Sequence, residues 1–137
     1  MSWQSYQLDR AAQELVLRHR DKGVLNQSYK MRQAAAFGLE RFWGEHVRLM
    51  KEDATAAGYW KQTWDSLVTI LKKAGLELPN HTIKDPKKTQ DIQAMADELW
   101  KLSPQKQRVA LAVLVQFCDC LIWWTQRYKT GKEKSDG

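Results

Sequence analysis

Apolar positions recur at intervals of three and four along almost the whole chain. That spacing lines one face of an α-helix, and no stretch alternates in the manner of a strand. A first helix is expected from about Ser5 to Lys22, with Leu8, Ala12 and Leu15 on one face and Gly23 as its stop. A second begins after Asn26, read as its N-cap, and runs to about Glu52. Its apolar side carries Met31, Ala35, Leu39, Phe42, Leu49 and Met50. A third starts at Ala54 or Tyr59 and ends near Ala74, with Trp60, Trp64, Leu67 and Leu71 in register. Gly58 either separates the second and third helices or kinks one long rod, since glycine costs about 1 kcal/mol in a helix interior.

The segment from Gly75 to Gln90 holds two of the three prolines and the lysines Lys84, Lys87 and Lys88, and is the one clear loop. Asp85-Pro86 or Thr89 starts a fourth helix reaching about Leu102, with Ile92, Met95, Leu99 and Leu102 as its stripe. The fifth helix opens on Ser103 as N-cap and Pro104 at its first position, and stops at Gly131. Between Val109 and Trp124 only Gln116 and Asp119 are polar. A helix apolar on nearly every face is expected to be buried all round, inside a domain, against a partner or in a membrane. The expected fold is therefore an all-α, single-domain bundle of about five helices over residues 1–131, followed by a flexible basic and polar tail over 132–137.

Composition narrows the classes. The chain has 137 residues, enough to bury a real core. The apolar run in the fifth helix is interrupted by Asp119 and is shorter than the roughly 18–20 residues that span a bilayer. The opening MSWQSYQLDR lacks the apolar core of a signal peptide. No membrane partner is expected, and the expected location is the cytoplasm. A net charge of +6 favours an anionic partner, nucleic acid foremost. Seven tryptophans provide large apolar anchors for the fold or an interface. Cys118 and Cys120, two apart on a helix, point to nearly opposite sides and cannot readily bridge, so both are read as reduced apolar fillers.

No constellation of residues points to catalysis. His19, His46 and His81 are scattered, no metal-ligand spacing appears, and no phosphate loop or nucleophile elbow is present. No enzyme activity, cofactor or metal is expected. His46 lies on an apolar face and is read as a hydrogen-bonded core histidine. Asp119, expected to be buried, needs an arginine partner from the bundle or another subunit.

Binding chemistry is better represented. Lys30, Arg41 and Arg48 fall within about 20° of one another on a continuous second helix, in a row about 27 Å long. Phe37 lies close to the same line. Basic residues with an interleaved aromatic suit a sugar–phosphate backbone and an unstacked base, although an ordinary solvated face accounts for them equally well. Further basic groups are Lys84, Lys87 and Lys88; Lys106 and Arg108; and Arg127, Lys129, Lys132 and Lys134. Arg127 and Lys129 also complement the helix C-terminus. Trp123 and Trp124 face about 100° apart, so one fills the core while the other is free to anchor a partner.

Three segments together resemble one family. LAVLVQFCDCLIWWTQRYKTG is similar to the terminal helix of the small helical subunits of type III CRISPR effector complexes. YQLDRAAQELV, with its Arg10-Ala11 pair, resembles their first helix, and KMRQAAAFGLERFW their basic second helix. The resemblance covers about a third of the chain. It implies a non-catalytic subunit that stacks on copies of itself inside a ribonucleoprotein. Such a subunit contacts guide RNA and target nucleic acid by shape and phosphates, and docks on larger effector subunits. On this basis Lys30, Arg41, Arg48, Phe37, Arg127 and Lys129 are expected at nucleic acid, and Trp123 and Trp124 at subunit contacts. A helical adaptor that binds only protein is the alternative. A DNA-binding helix-turn-helix regulator ranks third, because only Gly23–Asn26 offers its short turn.

Overall fold

The computed structural model describes the backbone of residues 2–133 and the side chains of residues 7–133. Within these bounds the chain is all-helical: α1 (Ser2–His19), a 3-10 turn (Arg20–Lys22), α2 (Gln27–Ala35), α3 (Leu39–Glu52), α4 (Ala54–Lys73), α5 (Thr89–Lys101) and α6 (Pro104–Tyr128). The bundle was expected; six α-helices replace the five because the second one breaks.

The break lies at Ala36–Gly38. The amides of Ala36, Phe37 and Gly38 donate to the carbonyls of Gln33, Ala34 and Ala35, tightening the end of α2 into 3-10 bonding. Gly38 then takes φ = 109°, a conformation open to glycine and strained for other residues. Phe42 N restarts the helical ladder by donating to Gly38 O at 3.1 Å. The elbow leaves Met31, Ala35, Leu39 and Phe42 all in the core, so the apolar period runs through it undisturbed.

Asp53, and not Gly58, divides α3 from α4. Its carboxylate accepts from Ala56 N at 3.1 Å as an N-cap, while its own amide closes α3 by donating to Leu49 O at 2.8 Å. Gly58 lies inside α4. Asn26 is already helical in backbone and makes no side-chain cap, correcting its expected role. Gly23 does stop the first helical segment, in the left-handed region at φ = 72°. Ser103 caps α6 through Oγ, which accepts from Lys106 N at 3.2 Å, with Pro104 at the first position.

The core is built around α4. Tyr59, Trp60, Trp64 and Leu67 of α4 are fully enclosed, alongside Leu8 and Leu15 of α1, Phe42 of α3, and Leu114, Phe117 and Leu121 of α6. α6 packs mainly on α1 and α2, and α3 on α4. The connection after α4 is no free loop, because Leu76, Leu78 and Ile83 bury their side chains. α5 is the outlier, touching the bundle chiefly through Met95 and Leu99.

At the centre, Ser28 Oγ joins Tyr59 Oη at 2.6 Å and Thr125 Oγ1 at 2.7 Å. This buried hydroxyl knot ties α2, α4 and α6. Burial raises the Tyr59 phenol to about 12, so it stays neutral and hydrogen-bonded.

Two expectations about α6 are corrected. The bundle itself does not bury it all round: Val109, Ala112, Gln116, Asp119 and Trp123 are exposed along one face. Its helical ends also extend the apolar run, giving an 18-residue window of mean hydropathy 1.5. By length and composition α6 is therefore long and apolar enough to cross a membrane. Lys132 and Glu133 belong to a short turn in which Glu133 accepts from the amides of Thr130 and Gly131, both at 2.9 Å. They are not free tail, and the remainder of the expected tail, with Lys134, lies outside the described residues.

Candidate nucleic-acid interface

The helix break changes the geometry of the expected basic row. Lys30 stands on α2 while Arg41 and Arg48 stand on α3, so the three do not share one helix line. Arg48 is occupied: its guanidinium donates to Glu45 at 2.8 Å and to Glu52 at 2.5 Å. Those carboxylates, Glu45 first, raise its pKa. A phosphate at Arg48 competes with two carboxylates in exposed, weak pairs.

The same elbow brings other residues together. Lys30, Phe37, Arg41 and the acidic Glu45 line one surface depression of ≈ 440 Å³, which Trp60 borders. The Arg41 guanidinium lies over the Phe37 ring, 5.6 Å from its centroid. A second groove of ≈ 480 Å³ adjoins it and shares Phe37 and Arg41. Its other walls are Leu99 and Trp100 of α5 and Gln107 and Leu111 of α6. Phe37 and Trp100 are the most exposed large apolar side chains of the described residues, at 66% and 69%.

Trp100 was not singled out from the sequence, though a signal existed. At about 100° per residue it lies roughly 120° from the middle of the Ile92–Met95–Leu99–Leu102 stripe. An aromatic so far off its helix's buried side has to face outward.

The other expected residues are dispersed. Arg127 lies 3.3 Å above the Trp123 ring centroid and donates through Nη1 to Trp123 O at 3.0 Å. Trp123 is half exposed. Trp124 is turned inward, where its Nε1 donates to Asp9 Oδ1 at 2.9 Å and its ring stacks on Tyr128 at 5.4 Å. Of the two tryptophans, Trp124 is partly buried against the core and Trp123 is the more exposed. Lys129 is exposed and ends α6. Arg127 and Lys129 do not line either depression at the α2–α3 elbow.

Asp119 has its arginine, Arg32 of α2, with Nε donating to Oδ1 at 2.9 Å, but it sits on the exposed face and is not buried. His46 is buried, its Nδ1 donating to Trp43 O at 2.5 Å, and burial holds its pKa below the ordinary 6.5. His19 is buried as well. Gln62 Oε1 accepts from His19 Nε2 at 3.0 Å, leaving the Nδ1 lone pair without a partner. The cysteine thiols are free, and burial raises both, Cys120 to about 11, so neither is a thiolate nucleophile at neutral pH. Among the described residues no group of three His, Cys, Asp or Glu side chains is placed to hold a metal.

No family model matches this chain, and neither a curated protein nor a solved structure does.

Proposed function

We propose that this chain is a non-catalytic small helical subunit of a CRISPR ribonucleoprotein effector complex. It works in the cytoplasm beside copies of itself and larger subunits, and its α2–α3 elbow lies along the backbone of the guide–target duplex. The observation that carries this reading is the shared depression of Lys30, Phe37 and Arg41, reassembled across a helix break that would otherwise have scattered them. Lys30 and Arg41 outnumber the one carboxylate of this depression, Glu45, and an A-form duplex offers phosphates and 2′-hydroxyls on its outside. The net charge of +6 adds long-range attraction. The family resemblance of the first, second and last helices supplies the assembly.

The test is anisotropy of a labelled RNA duplex against the intact protein. Lys30→Glu with Arg41→Glu weakens binding by about tenfold or more and flattens its salt dependence, because two phosphate contacts are lost. Arg48→Glu has the smaller effect. Unchanged affinity in the folded double variant removes the elbow from the model. Isolation of the tagged chain from its own cells checks the assembly: short repeat-derived RNAs should accompany it.

The alternative of an adaptor that binds only protein is favoured by one feature, the half-exposed Trp123 with Arg127 laid across it, the residue types of an interface anchor. Binding insensitive to salt and free of RNA selects that reading.

A further inference from the structure

We propose that the outer face of α6 is the surface by which two copies of this chain pair, with their α6 helices antiparallel. It rests on the part of the reading above that sets copies side by side, and not on RNA contact at the elbow. Val109, Ala112, Gln116, Asp119, Trp123 and Gln126 are all exposed. Their spacing alternates strictly between three and four residues, the repeat by which one helix seats on another, and the seam is about 26 Å long. The Arg127 guanidinium lies 3.3 Å from the Trp123 ring centroid and braces the ring, which is still half exposed.

The chemistry of the seam selects a second copy and its direction. Parallel helices set Asp119 against Asp119, and like charges repel. Antiparallel helices set it against Gln116 of the second copy. The Gln116 amide donates there, and the carboxylate, with Oδ1 held by Arg32 at 2.9 Å, has its other oxygen to accept. Two-fold symmetry makes this pair twice. The same register puts the large Trp123 ring on the small Ala112, as interlocking faces require. A lipid surface is disfavoured, because Gln116 and the Asp119–Arg32 pair lose water in mid-seam with nothing to replace it. One term opposes pairing: Lys106 and Arg108 of one copy come level with Lys129 and Arg127 of the other. All four are exposed, so their repulsion keeps the dimer weak and salt screens it.

Sedimentation equilibrium of the intact protein tests this. A monomer–dimer equilibrium is expected with Kd on the order of 10–100 μM, since so short a seam buries less than a standard interface. The chain is thus monomeric at the low concentrations used for denaturation. Trp123→Ala weakens the dimer about thirtyfold. Ala112→Leu adds apolar surface yet weakens it about tenfold, because the ring loses its seat. Raising salt tightens it about threefold, opposite in sign to RNA binding. Direction is read by oxidation in a Cys120→Ala background. Val109→Cys chains crosslink to Gln126→Cys chains when the two are mixed. They do not crosslink to one another, because antiparallel pairing holds the two positions 109 about 26 Å apart. A protein that stays monomeric to about 1 mM overturns the inference and leaves RNA contact at the elbow to its own anisotropy test. A dimer loosened by salt, tightened by Ala112→Leu, or crosslinked between two Val109→Cys chains overturns the antiparallel seam. Partition of the monomer onto phosphatidylcholine vesicles, lost in Trp123→Ala, overturns it in favour of a lipid surface.

Discussion

The tryptophans of α4 and the exposed aromatics Phe37, at the α2–α3 elbow, and Trp100, on α5, belong to one residue class but occupy opposite situations. Trp60 and Trp64 are enclosed, and each still finds a partner for its indole N–H: Gln27 Oε1 at 2.8 Å and Pro79 O at 3.0 Å. Phe42 packs beside both rings. Phe37 and Trp100 have none of this enclosure, and the groove between them is open. Aromatic content alone therefore says little. What separates a core ring from an exposed one is whether neighbours complete its contacts inside the chain.

Substitution sharpens the contrast most at α4. Trp64→Ala leaves a large cavity at the centre and costs about 3–5 kcal/mol, read as a fall in the urea midpoint. Trp100→Ala stays within about 0.5 kcal/mol, as surface changes do. Equal destabilisation by the two would erase the distinction. Ser28→Ala comes next: one oxygen is lost, but Tyr59 and Thr125 are left as buried hydroxyls without their shared partner. The expected cost is about 2–4 kcal/mol.

The buried histidines give a smaller, pH-dependent effect. Burial, the leading cause in each, lowers His19 and His46 below 6.5. The unfolded chain therefore takes up protons first as pH falls. Stability is complete above the unfolded value, declines as pH drops through it, and levels off below the folded values. The urea midpoint should fall between about pH 7.5 and 5.5, above the carboxylate range, and His19→Gln with His46→Gln should flatten that slope. A slope unchanged in the double variant places its origin elsewhere.

How far the sequence carried the fold depends on which signal each element rests on. Periodicity found the helices, and Ser103-Pro104 and Thr89 gave true starts. Periodicity could not find the elbow, because Met31, Ala35, Leu39 and Phe42 keep their apolar phase across Ala36–Gly38. Gly38 was the visible sign; of the two starts read for the next helix, Ala54 is the true one, and Asp53 was its legible N-cap. The site was half legible: Phe37 and Arg41 were read correctly as neighbours, though on a helix that does not exist. Glu45 and Glu52, three and four residues from Arg48, lie near the edge of its row on any helix, so their pairing with it was legible in the spacing. The outward facing of Trp100 was legible in its offset from the stripe of its helix, but its place beside residues of α3 and α6 was not, because no local pattern brings them to it.

The smallest effect is expected at Asp119, where the contrast between enclosed and open faces runs across a single helix. Its carboxylate lies within the most apolar run of the chain, yet its side chain is 59% exposed and paired at 2.9 Å with a partly exposed Arg32. Exposed pairs of this kind contribute about 0–1 kcal/mol, because water already solvates both charges and ordering them costs entropy. Asp119→Asn should move the urea midpoint by no more than that, and less at high salt. Phe117, two residues earlier, points into the core and is fully buried. Phe117→Ala should cost about 3–5 kcal/mol. A loss of several kcal/mol in Asp119→Asn would mean that the pair is enclosed when the chain is assembled with another molecule. The outer face of α6 would then be an interface, and the size of the loss would have to depend on protein concentration.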